Sequence, residues 1–414
     1  LRRRLAWLFR RSDGCIYRLE KVLAPAGKQR ESEQGDVMRS PRVLHVFANH
    51  KWTGPADPAI RCAARLRELG VDVRFAQASF IQPGGIHRVA DELWRWRLPV
   101  VAGLELRKHF RLPSLMRDAR SLARLLVRDR FDLVHCHQGA DHLIATMACR
   151  RLETPPVVVR SLYEPEAPQR GWRERLMFGR TQAVLAPTSR AQEGVRQRFR
   201  IPSERVLLQE PVTEPRDIDG ANSRSRWGLS KEHLVVGITA RIQPHRRFDL
   251  LWQTVRFVSD RLPNVRFVLL GRGNEKDSQN LVVKPIAEQG IGDCVLLPGY
   301  QKGALYEQAL RALDAFMFLV PGSDGTCRAV CDAMAFGKPV VSTRRGILPD
   351  LLAERRVSEV AGFAVEESAT SMGSALLRLL TNPALRSACS EAALRRTQLD
   401  MDPRLAASRT LDLY

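Results

Sequence analysis

Residues 314–341 read Asp-Ala-Phe-Met-Phe-Leu-Val-Pro-Gly-Ser-Asp-Gly-Thr-Cys-Arg-Ala-Val-Cys-Asp-Ala-Met-Ala-Phe-Gly-Lys-Pro-Val-Val. The apolar run from Ala315 to Val320 has the length of a buried strand. Pro321-Gly322-Ser323 breaks it, and a small-residue helix is predicted to open near Cys327. The turn between them also carries chemistry. Asp324 lies in the loop, and Asp332 stands eight positions on, about a turn and a half into the helix. A helix start offers unpaired N–H groups and partial positive charge, which suits a diphosphate. Carboxylates beside it can accept hydrogen bonds from sugar hydroxyls. Phosphate and sugar together point to a nucleotide-sugar site.

Outward from this stretch, strand-like and helix-like segments alternate from Arg42 onward. Strands are predicted at 42–48, 71–77, 132–136, 156–160 and 183–187, with helices at 57–69, 114–130, 139–152 and 189–199. Near 209–233 the chain turns polar, and the rhythm restarts with strands at 234–239, 265–270, 294–297, 315–320 and 339–343. That order predicts an α/β protein with two doubly wound parallel sheets. Ligands bind such sheets at the carboxyl ends of their strands. The expected division is a leader (1–37), a first Rossmann-like domain (38–212), a linker (213–233), a second domain (234–395) and a terminal helix (396–414).

Composition narrows the classes. The 414 residues allow two or three domains, each with its own core. No apolar run reaches the roughly 18 residues that a membrane span needs. Eight cysteines lie scattered without C-x-x-C pairs, which favours a reducing cytosol over a disulfide or zinc scaffold. The balance of 66 basic against 45 acidic residues, +21 overall, suits polyanionic partners such as nucleotides or an anionic membrane face. No nucleic-acid module signature accompanies it. A GC-rich genome would give the same arginine excess.

The leader opens Leu1-Arg2-Arg3-Arg4-Leu5-Ala6-Trp7-Leu8-Phe9-Arg10-Arg11 and is basic and partly amphipathic. Two readings stand: it lies on anionic membrane, or translation starts at Met38 and the leader is a gene-model artefact.

The quoted stretch resembles the donor signature of glycosyltransferase family 4: an acid, a Gly-rich turn, a second acid eight residues on, then A-M-A-x-G-x-P-V-V. The resemblance runs over about residues 42–395 and is strongest from 234 to 350. It implies the GT-B fold, two Rossmann-like domains facing a cleft, and retaining, metal-independent sugar transfer with no cofactor beyond the nucleotide-sugar donor. By resemblance Asp324 touches the donor sugar, Asp332 grips the ribose, and the Gly325-Thr326-Cys327 amides hold phosphate. Both acids are usually Glu in that family, so each carboxylate here reaches one methylene less far.

Leu234 to Ala240 reads as a strand with Arg241 at its end and Arg246 five residues later. The family carries G-R followed by K-G at this spacing, where the cations neutralise the diphosphate. Arginine keeps that charge and can clamp phosphate bidentately. In the first half, Phe131 to His137 closes a strand with His-x-His, and the resemblance puts His137 beside the donor sugar as a hydrogen-bonding group. After the first strand, Thr53-Gly54-Pro55 stands where the family has adjacent glycines. Pro55 lacks an N–H, so only Gly54 can approach the phosphate. Leu162 stands where many members have His, so acceptor identity does not carry over. Gly271-Arg272-Gly273 is expected to form a tight turn.

Asp217-Ile218-Asp219 has the letters of a metal-binding pair but falls in the linker, and His135, His137 and His142 lack a completing ligand. No metal site is therefore predicted. The acceptor expected is a saccharide or lipid-linked precursor of a surface polysaccharide, handled in the cytoplasm or at the inner membrane face. Two rival readings are a nucleotide-sugar-binding protein without transfer activity and a GT-B sugar epimerase.

Overall fold

Each half of the chain folds around a parallel sheet whose strand order reverses near its middle. The computed structural model describes residues 40–81, 86–109, 111–321, 327–353 and 360–414. Three of the residues singled out above, Asp324, Gly325 and Thr326, lie outside the described residues, as does the leader.

The first sheet holds β1 (Arg42–Phe47), β2 (Asp72–Gln77), β3 (Val100–Val101), β4 (Leu133–Cys136), β5 (Val157–Ser161), β6 (Ala183–Ala186) and β7 (Val206–Leu208). Their order is β3-β2-β1-β4-β5-β6-β7. The second sheet holds β8 (Leu234–Arg241), β9 (Val265–Arg272), β10 (Val295–Leu296), β11 (Ala315–Phe318), β12 (Val340–Thr343) and β13 (Gly362–Val365), ordered β10-β9-β8-β11-β12-β13. Each sheet thus starts in its centre and winds outward in both directions. The crevice at the switch lies between β1 and β4 in the first and between β8 and β11 in the second.

The longer helices are α1 (Ala56–Glu68), α2 (Arg88–Arg95), α3 (Leu112–Arg128), α4 (Gly139–Cys149), α5 (Ser189–Phe199), α6 (Phe248–Ser259), α7 (Ala304–Arg311), α8 (Arg328–Ala335), α9 (Ala369–Thr381), α10 (Pro383–Leu399) and α11 (Pro403–Leu413). They cover both faces of each sheet, so the strands are buried on both sides and read as continuous apolar runs. Fully buried Phe47, Phe75, Phe267 and Phe316 anchor these layers, each stabilising by about 1.5–3 kcal/mol.

The signature helix α8 shows how sequence sets an element's ends. Cys327 precedes it in a left-handed conformation, φ +47°. Gly337 follows it at φ +66°, where its N–H bonds Met334 O and Lys338 N–H bonds Ala333 O, both at 2.9 Å. That is a Schellman stop, and it explains the glycine. Pro339 then precludes further helix and leads into β12.

Three strands, β3, β7 and β13, and the helices α2, α7 and α9 were not expected; the strands are short or lie at a sheet edge, where alternation and length give little signal. The turn expected at Gly271-Arg272-Gly273 is also corrected. Gly271 and Arg272 continue β9 and pair with Ala240 and Arg241. A Cβ on Gly271 would stand 2.0 Å from the Ala240 carbonyl oxygen, so the glycine permits close strand approach. Gly271→Ala should therefore push β8 and β9 apart at their carboxyl ends. We expect a loss of about 2–3 kcal/mol in stability, measured by urea unfolding.

The chain returns to the first domain at its end. α11 packs on α1, and its Ala407, Leu411 and Tyr414 join the core beneath β1 and β2. The segment between the sheets is held on both sides. Glu214 accepts hydrogen bonds from Arg61 and Arg65 of α1 at 2.9 Å each, and Arg224 donates to Asp314 at 2.6 Å. Asp217 and Asp219 lie on this segment, and the Asp217 carbonyl accepts from Arg311.

Candidate functional site

The two switch points face one cavity of about 460 Å³. Its lining includes Gly54 after β1, Arg241 at the end of β8, Arg246 beyond it, Cys327 just before α8, and Arg328 and Asp332 within α8. Residues distant in sequence meet because each follows the carboxyl end of a central strand.

Arg241 is the exposed last residue of β8. Arg246 ends a short 3₁₀ turn, and its Nη1 donates to the Val320 carbonyl at 2.9 Å. That bond ties the cation to the end of the strand run that precedes Asp324. Arg247 adopts φ +57° and ψ +46°, a left-handed bend ahead of α6, and pairs with Asp249 at 3.0 Å and Glu367 at 3.1 Å. A bend of this kind is where glycine costs least, and here an arginine adopts it.

Asp332 sits within the electrostatic reach of Arg328 and Arg216, and of Asp57 and Arg61 from α1. Burial pushes its carboxyl up to about 6, against the pull of Arg328 and Arg216. Tyr306, which sequence reading passed over, lines the same cavity, and burial pushes its phenol well above the usual range. Tyr300 forms another wall, with the Arg272 guanidinium 4.6 Å from its ring centroid. The chemistry on offer is cations, helix N–H groups, one carboxylate and an aromatic face. That set matches a nucleoside diphosphate.

A second, more apolar cavity adjoins the first and shares Gly54 and Arg328 with it. His137 lies in this second wall, with Ser161, Tyr163 and Glu210 among its neighbours. Its Nδ1 is 2.7 Å from the Tyr163 hydroxyl and its Nε2 is 3.0 Å from His45 Nδ1, so both ring nitrogens are engaged by protein. Burial first, then the neighbouring His135, His45 and Arg160, holds the imidazole well below its usual range and therefore neutral.

The backbone under His137 is fixed by Asp141. Its buried carboxylate accepts from the N–H groups of Ala48, His137 and Gln138 at 2.9–3.1 Å. One side chain thus joins the loops after β1 and β4, the two edges of the first switch point. Sequence offered no signal for this beyond an acid at a helix start. Nor did it reveal that His45, His135 and His137 form one buried cluster, with ring nitrogens within 4.8 Å of one another. His45 comes from β1 and pairs in register with His135 of β4. His142, by contrast, turns away and bonds Thr181 at 2.8 Å.

Both halves of the chain match known families. Residues 54–208 match the family described as Glycosyltransferase Family 4, and residues 233–382 match Glycosyl transferases group 1. The chain is 27% identical over 287 residues to a D-inositol 3-phosphate glycosyltransferase of Stackebrandtia nassauensis, an alignment covering 64% of this chain and 63% of that protein. It therefore spans less than two thirds of the length of that curated relative. Among solved structures, a glycosyltransferase from Rickettsia africae superposes with TM-score 0.74 at 14% identity, over 91% of this chain and 98% of the other. HepE of Anabaena, solved in complex with UDP, gives TM-score 0.71 at 16% identity, over 90% and 98%. With both sheets matched, the fold is GT-B, and the chain belongs to glycosyltransferase family 4, the glycosyl transferases group 1.

Proposed function

We propose that the protein moves a hexose from a nucleoside diphosphate sugar to a hydroxyl acceptor, with retained anomeric configuration and without a divalent ion. One observation carries this reading: Arg241, Arg246, the start of α8 and Asp332 line a single cavity at two facing switch points. Arg241 and Arg246 offset the charge that grows on the diphosphate as the sugar–phosphate bond breaks, and the α8 amides add to it. Asp332 accepts from the ribose hydroxyls. Asp324, with Gly325 and Thr326, is assigned to the sugar and its adjoining phosphate. The acceptor hydroxyl attacks from the leaving-group face and passes its proton to the departing phosphate. His137 shapes the first-domain wall.

The test is release of nucleoside diphosphate from a panel of nucleotide sugars, starting with UDP-glucose because HepE is solved with UDP. Release that persists in EDTA supports the metal-independent mechanism; strict dependence on added magnesium or manganese overturns it. NMR of the product's anomeric carbon decides retention. A protein that binds nucleotide but releases none is the binding-only alternative. One that isomerises the donor sugar without acceptor is the epimerase.

Among the described residues no helix is long and apolar enough to cross a membrane. We assign a lipid-linked or surface-polysaccharide acceptor reached from the cytoplasmic membrane face, on the strength of the +21 charge. Sedimentation with anionic against neutral vesicles tests that part separately.

Asp332 gives a pH signature. Its folded carboxyl holds a proton to about pH 6 while the unfolded chain releases it near 3.8. The folded state thus binds more protons between those values, and this group's contribution to stability declines as pH rises through that window. Nucleotide binding has the opposite sense, because only the carboxylate accepts two ribose hydroxyls. UDP affinity should rise about tenfold from pH 5 to pH 7 in excess of the change seen for Asp332→Asn. Isothermal titration of both proteins checks it, and the variant cancels the nucleotide's own titration.

A further inference from the structure

The larger cavity holds more positive charge than a neutral sugar nucleotide needs. Among the described residues its lining carries five cations, Arg241, Arg246, Arg272, Lys302 and Arg328, against one carboxylate, Asp332. Asp324, assigned above to the sugar, raises the acids to two. A nucleoside diphosphate sugar adds a single negative charge per phosphate, which still leaves the cations in excess. Unmatched charge in a partly enclosed site is unfavourable.

Four of these cations have evident places. Arg241 and Arg246 follow the central strand, and Arg246 is bonded to the Val320 carbonyl. Arg272 lies 4.6 Å from the Tyr300 ring centroid and Lys302 stands 5.6 Å from it, so those two gather at one wall. Arg328 is different. It is the first residue of α8, it is exposed, and it lines both cavities. Among the described residues its guanidinium makes no hydrogen bond and no ion pair. The acids around it are committed elsewhere. Asp57 and Glu210 line the second cavity, where Arg328 is the only lysine or arginine among the described residues. Asp57 pairs with Arg61 at 2.9 Å, and Glu210 with Arg396 at 3.1 Å. Asp332 stands one helical turn beyond Arg328 and acts on it only through space.

Position indicates what this cation meets. With the diphosphate among Arg241, Arg246 and the α8 amides, the attached sugar extends toward the second cavity and His137, across the junction that Arg328 occupies. A neutral hexose offers only hydroxyls there, which leave the guanidinium's charge unmatched. A carboxylate accepts from it bidentately and cancels that charge. We propose that Arg328 is a specificity-determining residue that binds a carboxylate on the transferred sugar, so that the donor carries a hexuronate, a hexose oxidised at its terminal carbon. The inference rests on the nucleotide-sugar reading of the cavity and names its substrate class. The donor is the source of the carboxylate, because Arg328 stands on the helix that opens the donor cavity and belongs to the second domain.

The test is isothermal titration of the full chain and of Arg328→Leu with UDP, UDP-glucose and UDP-glucuronate. UDP-galactose and UDP-galacturonate repeat the comparison for the other configuration at C4. In at least one pair the uronate should bind the parent about ten- to a hundredfold more tightly than the neutral sugar, as a bidentate charge-assisted pair allows. Arg328→Leu should abolish that preference while changing UDP affinity by less than about threefold. Arg328→Lys should keep part of the preference, because it retains the charge and loses the planar fork. Arg328 is exposed, so the leucine variant should unfold within about a degree of the parent. Equal binding of uronate and neutral sugar in both pairs would overturn the proposal. So would a preference that survives in Arg328→Leu, or a loss of UDP affinity as large as the loss of uronate affinity, which would make the arginine a diphosphate clamp. Binding of UDP without a uronate preference defeats this inference and leaves the nucleotide-sugar reading standing; no binding of UDP defeats both.

Discussion

Arg241→Ala should lower nucleotide release from the sugar donor by about a hundred- to a thousandfold, roughly 3–4 kcal/mol of transition-state stabilisation. Arg241 ends β8, is exposed and lines the cavity. The unfolding midpoint should therefore stay within about a degree of the parent, since exposed substitutions are worth within ±0.5 kcal/mol. Lysine at this position should restore part of the rate, because it keeps the charge and loses the planar fork. Rate assays beside thermal unfolding check the separation. A near-normal rate in the alanine variant would remove Arg241 from the site. Arg246 should behave differently: its bond to the Val320 carbonyl makes it a brace for the strand end as well as a cation, so its loss should disturb both rate and stability.

The second large effect is structural. Arg396 in α10 is 2% exposed and donates to Glu210, 9% exposed, at 3.1 Å and to the Asp350 carbonyl at 2.7 Å. Glu210 belongs to the segment leaving β7, while Asp350 belongs to the second domain. The guanidinium therefore joins the helix that leads back to the first domain with both sides of the connection. Arg396→Ala would strip the buried Glu210 carboxylate of this guanidinium, a loss of about 3 kcal/mol. The midpoint of thermal unfolding should fall by roughly 10 °C. Arg396→Met with Glu210→Leu should recover most of it, because removing both charges removes the desolvation cost as well. If the single variant unfolds within a degree of the parent, the pair is not what holds this junction.

Much of the second domain was legible because its signals are local. The run Ala315 to Val320, the stop at Pro321, the small-residue helix and Gly337 each act within one turn or one strand. Arg241 and Arg246 could be named from their offset to a strand end. Other features were out of reach because their partners come from elsewhere. Gly271 looked like a turn residue until the Ala240 carbonyl was seen to fill the space beside it. Asp141 drew no notice as one acid among many, yet its carboxylate binds amides from two loops. His135, His137 and His142 were read together as histidines without a completing ligand, but register brought His45 in from another strand and sent His142 to Thr181.

By itself, then, the amino-acid sequence determined the α/β class, the two sheets and the family, and it located the arginines that follow the central strand of the second sheet. Those depend on apolar periodicity, helix stops and residue types within a few positions of one another. Only tertiary structure decided what sits on the first-domain wall, how the two domains are pinned, and which buried polar groups satisfy each other. A hydrogen bond or ion pair between strands hundreds of residues apart leaves no spacing to read, because register and crossover packing choose the partner.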